Sequence, residues 1–215
     1  MAEKKRNFDI IVSKPESITG GITVAPLGTE IPGTFKTKLS DKFTPMGYVN
    51  EDGLTLSEDA SDEEIKVWGG VKVRTVRSEY SAKIKFTLHS TADLDVNKTV
   101  FGPSNVSLSD EGVLQVKHGA DIPPVQAFTI ETKDPNNGYQ RRFAIPRGQI
   151  TVAGDRNLTH SAADGLEVSI ECLADPETGI CYTEYTLVPG ADSAGAVRAA
   201  SPGGVPGAGV PGIGG

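Results

Sequence analysis

Apolar and polar residues alternate along several short stretches of this chain, a pattern typical of β-strands that have one buried face. The clearest stretch, residues 80–89, carries an apolar residue at every second position from Ala82 to Leu88. We expect residues 71–77 to form the strand that pairs with it. Further strands are predicted over residues 113–116, 125–132, 139–145, 166–173 and 181–188. Short strands at this spacing predict a mainly β fold, a β-sandwich or barrel.

One short helix is predicted to flank these strands. It begins at Ser90 or Thr91 and ends at Gly102-Pro103, a pair that stops helices. Residues 34–43 also carry apolar residues four apart behind Thr34, a residue that caps helices, which indicates a second helical segment.

Two Gly-ended turn sequences predict hairpins late in the chain, Asp134-Pro-Asn-Asn-Gly138 and Asp175-Pro-Glu-Thr-Gly179. Cys172 and Cys181 flank the second turn and are expected to face each other across it. Since the chain shows no export signal, reduced packing thiols are favoured over a disulfide.

Composition divides the chain into a domain with extensions. Residues 1–34 mix charge with Gly and Pro and predict an extended arm, whose apolar residues need a surface to lie on. Residues 35–188 form the β-sandwich domain, and residues 189–215, rich in Gly, Pro and Ala, predict a disordered tail. Within the domain, 44–70 is predicted to be a long loop, because residues 51–64 hold seven acidic side chains and no basic one.

Candidate chemistry is sparse. A net charge of −7 argues against a nucleic-acid-binding protein. No apolar stretch is long enough to span a membrane. Asp93, Asp95 and Asn97 resemble the start of a calcium loop, but the required Gly and Glu are missing further on. The three histidines lie far apart, and no serine or cysteine has an activating partner. We therefore expect no catalytic residue, no metal and no cofactor.

Five short segments and one strand-to-helix transition, at Phe86 to Phe101-Gly102, occur in a distinctive order over residues 20–188. The segments are Ala25-Pro-Leu-Gly-Thr29, Gly47-Tyr-Val-Asn-Glu-Asp-Gly53, Val67-Trp-Gly-Gly70, Phe143-Ala-Ile-Pro-Arg-Gly-Gln149 and Asp175-Pro-Glu-Thr-Gly179. Their order resembles that of the major tail proteins, or tail tube proteins, of long-tailed, non-contractile bacteriophages of the siphophage type.

The resemblance implies a structural virion protein that catalyses nothing. Its strands would join those of neighbouring subunits around a hexameric ring, and rings would stack into a tube through which DNA passes into the host. It also implies assembly in the bacterial cytoplasm and contacts with the tape measure protein, the tail terminator and the baseplate or distal tail proteins. DNA would pass without specific binding, and no membrane is involved.

The same resemblance suggests which residues serve assembly. The arm and the long loop are expected to bridge rings and to be disordered in a free monomer. Contacts between subunits or rings are expected from Phe8, Ile10, Ile11, Val12, Ile22, Leu27, Tyr48, Trp68, Arg141 and Arg142. For Trp68, anchoring of the core is an equal alternative. Acids facing the lumen, which would repel DNA within the screening distance of about 10 Å, are expected to be Glu131, Glu167 and Glu171.

One alternative is a monomeric carbohydrate-binding or adhesive β-sandwich. Trp68 and four tyrosines, Tyr80, Tyr139, Tyr182 and Tyr185, would then supply stacking faces for sugars. An aromatic content of 6% weakens this alternative. Rings or tubes in electron micrographs would separate the two hypotheses, since a sugar-binding module stays dispersed.

Overall fold

Strands make up most of the ordered structure in this computed structural model, which describes residues 10–19, 21–156 and 158–189. The strands are β1 (Lys14–Pro15), β2 (Ile22–Pro26), β3 (Thr44–Pro45), β4 (Val49–Lys66), β5 (Lys72–Leu88), β6 (Val106–Leu108), β7 (Leu114–Val116), β8 (Gln126–Lys133), β9 (Gln140–Val152), β10 (Leu166–Cys172) and β11 (Thr183–Leu187). Helix α1 spans Leu94–Phe101 and is followed by a short 3-10 turn at Pro103–Asn105. The prediction of a mainly β fold with a flanking helix is confirmed.

One antiparallel sheet carries most strands in the order β3-β2-β8-β9-β10-β5-β4, while β6 and β7 pair separately. In a flat sheet, β3 and β4 would lie six strand spacings apart, about 29 Å. Only residues 46–48 connect them, however, and four Cα steps span at most about 14 Å. The sheet must therefore curl until its two ends approach each other.

The curled sheet encloses the core through alternate residues of its strands. Along β5, Ala82, Ile84, Phe86 and Leu88 are all buried, so the period predicted for residues 80–89 is confirmed. Facing them are buried residues of β8, β9 and β10, among them Phe128, Ile130, Ile145, Ile150, Val168 and Ile170. These side chains form one hydrophobic cluster.

Helix α1 covers part of this core and is held by its own cap. Its cap is Asp93, not Ser90 or Thr91, and the Asp93 carboxylate accepts hydrogen bonds from the backbone N–H groups of Asp95 and Val96. Asn97 is buried and donates to two backbone carbonyls. The residues that resembled the start of a calcium loop therefore belong to a helix N-terminus.

No helix forms at residues 34–43, where one was predicted. The guanidinium of Arg142 lies 5.1 Å from the centroid of the Phe35 ring and donates to the carbonyls of Pro32 and Thr34. These tertiary contacts fix an irregular backbone and outweigh a weak helical pattern.

The prediction that residues 71–77 pair with residues 80–89 is wrong, because both belong to the single strand β5. Its partner is β4, which occupies most of the segment predicted as a long loop. The turn lies at Gly69 and Gly70, whose φ values of 101° and 81° suit glycine. Both faces of this hairpin are exposed and largely polar, so its sequence lacks the alternation of apolar and polar residues that marks a half-buried strand.

The two predicted turns have different outcomes. Residues 134–138 connect β8 to β9 in a hairpin, as predicted. Residues 175–179 do not connect a hairpin, because β10 and β11 lie one after the other along the same edge of β9. Asp175 closes this loop on itself by accepting hydrogen bonds from the backbone N–H groups of Glu177 and Thr178.

Candidate assembly surfaces

The hairpin of β4 and β5 extends beyond the body of the domain. Strand β10 accompanies β5 only from Ala82 to Leu88, so the remaining part of the hairpin has no third strand beside it in the described chain. All residues from Ser57 to Tyr80 are exposed. An isolated two-stranded hairpin is marginally stable in water, so one of this length is expected to gain partners.

The tip of this hairpin is apolar. Trp68 is fully exposed at 104%, and four aliphatic residues around it are also exposed. They are Ile65, Val67, Val71 and Val73. Large apolar residues grouped in this way on the surface of a soluble protein mark an interaction site.

Charge is divided between the two strands of the hairpin. Strand β4 contributes acids and β5 contributes cations, with ion pairs of 3.0 Å between Asp62 and Arg77 and 2.6 Å between Glu64 and Lys72. Such exposed pairs add little stability. The outer edge of β4 has no strand partner within the described residues, and exposed edges favour pairing with another chain.

The N-terminal arm lies against its own chain over the part that the structure describes. Strand β1 pairs with β8, and the Val12 N–H donates to the carboxylate of Asp134 at 2.9 Å. The expectation of a disordered arm in the free monomer is therefore wrong for residues 10–19. The backbone makes these contacts, while the side chains of Ile10 and Ile18 remain 81% and 79% exposed.

A groove of about 630 Å³ separates this arm from the base of β4. It lies where the two ends of the curled sheet approach each other. Pro15, Ile18, Tyr48, Leu54 and Phe143 contribute apolar atoms to its walls. Glu51, Asp52 and Glu131 add acidic groups, and Lys14 adds a cation.

A further carboxylate, that of Glu16, adjoins this acidic wall. Burial, followed by a hydrogen bond with Glu131, raises the pKa of Glu16. Glu131 and Arg142, expected at the lumen and at a subunit contact, instead pair with each other at 2.5 Å and are largely buried. Both expectations are corrected by this pair, since neither side chain is free to face a neighbour.

The other residues expected at subunit contacts are scattered. Ile22 is buried in the core, which excludes it as a surface contact. Ile10, Val12, Leu27, Tyr48 and Trp68 are exposed, and Ile11 is half-buried. Arg141 pairs with Glu184 at 3.3 Å, and Phe8 lies outside the described residues.

Glu167 and Glu171, expected to face the lumen, lie on the face of β10 opposite the core. Each alternates with buried residues of that strand. On the neighbouring strand β5, Lys83 and Lys85 occupy the same face, and Lys83 lies 3.8 Å from Glu171. This face is polar and carries both signs of charge.

Both cysteines are free and buried near the base of the hairpin. Burial raises the pKa of Cys172 to about 12 and also raises that of Cys181. These thiols pack against the core and do not act as nucleophiles at neutral pH. Among the described residues there is no group of three or more His, Cys, Asp or Glu side chains placed to hold a metal ion.

The pattern along the sequence missed two parts of these surfaces. Strand β4 was predicted as a loop because its residues are mostly polar, and the groove forms from segments distant in sequence. In the portion of the chain that the structure describes, no helix is long and apolar enough to cross a bilayer.

The fold defines a class of protein: a mainly β domain with a projecting hairpin and strand edges suited to joining other chains. A sequence model of the family described as phage tail tube protein matches residues 16–183. The chain therefore belongs to the phage tail tube protein family. It is a structural component of the phage virion that self-assembles into a tube and associates with other tail components. No curated protein matches the chain.

Proposed function

We propose that this protein forms stacked hexameric rings that build the tail tube of a siphophage, through which DNA passes into the host. The proposal depends on one observation: the β4–β5 hairpin projects from the domain, and its tip is apolar and exposed. In a member of the tail tube family, such a tip is suited to contact another subunit. A monomer gains nothing from exposing Trp68, whereas an assembly buries it.

Two kinds of contact are needed for such a tube. Heterologous contacts that close on themselves produce rings, and axial contacts that do not close produce a filament. The unpaired edge of β4 supplies a surface for the first kind, because a neighbouring strand can satisfy its backbone groups. The hairpin reaches beyond the body and supplies the second kind.

The polar face that carries Glu167 and Glu171 is our candidate for the lumen. Its two carboxylates repel the phosphates of DNA, while Lys83 and Lys85 bring an equal positive charge to the same face. A face of mixed sign allows DNA to pass without adhering. In this proposal the tube is assembled in the host cytoplasm and contacts the tape measure protein, the tail terminator and the baseplate or distal tail proteins.

Negative-stain electron microscopy of the concentrated full-length protein tests the proposal. We expect sixfold rings and tubes with a central channel. A protein that remains a single subunit at every concentration would contradict it, and glycan binding by such a monomer would favour the carbohydrate-binding alternative. Rings of another symmetry would reject the hexamer and retain the tube.

A further inference from the structure

We propose that the hairpin tip of one copy docks into the groove between the arm and the base of β4 of a neighbouring copy, with Trp68 as its anchor. This inference rests on the proposed function, since it names the partner surfaces of that assembly. It joins two exposed features of the same chain, an apolar projection and an apolar groove.

The reach of the hairpin excludes docking within one chain. Leu54 lies in the wall of the groove, and Trp68 is fourteen positions further along the sequence. At about 3.3 Å for each strand residue, the tip lies roughly 45 Å from the base of its own hairpin. Pairing with β5 keeps β4 extended, so the tip can reach only the groove of another molecule.

The two surfaces match in size and polarity. A volume of about 630 Å³ lies within the range of about 300–1,000 Å³ that is typical of binding sites. Pro15, Ile18 and Leu54 offer apolar contacts to an indole ring. Tryptophan is also enriched among the residues that dominate the energy of protein interfaces.

Charge favours the same pairing. Residues 64–74 at the tip contain three cations, Lys66, Lys72 and Arg74, against one acid, Glu64, which pairs with Lys72, so the tip keeps a net positive charge. The groove presents the carboxylates of Glu51 and Asp52 against the cation Lys14, while its third carboxylate, Glu131, is already paired with Arg142. Opposite charges of this kind orient the tip as it approaches and disfavour contact between two grooves.

Such a contact is heterologous, because the tip and the groove are different surfaces of one protein. Each copy therefore offers one of each, and the contact propagates from copy to copy instead of closing a pair. Chain growth of this kind is the property that a tube requires.

Photo-crosslinking maps the contact directly. The full-length protein is made with a photoreactive phenylalanine analogue at position 68 and is irradiated after assembly. We expect intermolecular cross-links to residues 13–18 and 48–54. Oligomers whose cross-links fall elsewhere would overturn the docking and leave tube formation intact. Failure of the unmodified protein to assemble would overturn both proposals.

Substitutions in the hairpin tip and in the groove give a second test, with a matched control. Trp68→Ala at the tip and Ile18→Arg in the groove alter exposed side chains, so the fold is retained. Each is expected to raise the concentration needed for assembly by about 30-fold, equivalent to about 2 kcal/mol. Leu158→Ala, which removes another exposed side chain, should leave it unchanged. Equal assembly by all three variants would reject the docking.

Fluorescence reports the same event without substitution, since Trp68 is the only tryptophan. Its emission should shift to shorter wavelength on assembly, and quenching by iodide should fall. An indole that stays equally accessible in assembled material would contradict its role as anchor.

Discussion

The hydroxyl of Tyr182, the residue just before β11, donates a hydrogen bond to the carboxylate of Glu58 at the point where the hairpin leaves the body. The Tyr182 ring also packs against Phe143, with 6.4 Å between the ring centroids. Burial, followed by this hydrogen bond, raises the pKa of Tyr182. The phenol therefore stays protonated and remains a donor at neutral pH.

Replacing Tyr182 with Phe should loosen the hairpin and leave the domain folded. Glu58 is exposed, so water replaces the lost donor and the cost is within about 1 kcal/mol. Amide hydrogen exchange over residues 57–81 should become faster in monomeric protein. Tyr185→Phe, three residues further along in β11, is the control and should leave that exchange unchanged. Equal exchange in the two variants would show that the contact does not hold the hairpin.

Cys172 and Cys181 should resist alkylation by iodoacetamide at neutral pH. The pKa of Cys172 is raised to about 12 by burial, so almost none of it is present as the reactive thiolate. Both thiols should react fully once the protein is unfolded in guanidinium. Mass spectrometry of trapped adducts counts the modified sites. Rapid labelling of Cys172 in the folded protein would contradict its burial.

Acid should release the N-terminal arm through Asp134. Hydrogen bonds from the backbone, first from Val12, lower the pKa of this carboxyl. A lowered pKa stabilises the fold fully above the unfolded value of about 3.9, and this contribution is lost as the pH falls below it. The protection factors of amides in residues 10–16, which correct for the slower intrinsic exchange in acid, should therefore fall steeply below about pH 4.

Asp134→Asn supplies the control for this acid effect. The amide cannot change charge, so the protection factors of the arm should already be lower at neutral pH, with little further change in acid. Asp164 and Asp175 also have lowered pKa values and titrate in the same range. Only the difference between wild type and variant therefore reports on Asp134. Parallel pH profiles for the two proteins would refute the assignment.

The sequence predicted those elements whose signal is local. The alternation along β5 near Ile84 follows from burial of one face, and the 134–138 turn contains residues that suit a hairpin. Helix α1 was found for the same reason, although its cap was placed two or three residues early. The family resemblance was also carried by the sequence alone.

Elements fixed by distant contacts could not be predicted in this way. Residues 34–43 have a helical pattern, yet Arg142 from β9 holds their backbone in another conformation. The projecting hairpin is exposed on both faces, so no side of it needs to be apolar and the period disappears. Residues 175–179 suit a turn, but the following strand pairs with β9 and not with β10, so the chain does not form a hairpin there. The groove depends on how far the sheet curls, which no short segment records.

Arg142→Lys should destabilise the domain strongly although it keeps the charge. Arg142 is buried, pairs with Glu131 at 2.5 Å and donates to the carbonyls of Pro32 and Thr34, a set of directions that an ammonium group cannot match. Each lost hydrogen bond from this buried charged donor costs about 1.5–3 kcal/mol, and urea unfolding should show a loss of at least that size. Arg141→Lys is the neighbouring control, since Arg141 is partly exposed and its pair contributes at most about 1 kcal/mol. If both variants unfolded at the same urea concentration, Arg142 would have no special part in holding residues 32–35 against the sheet.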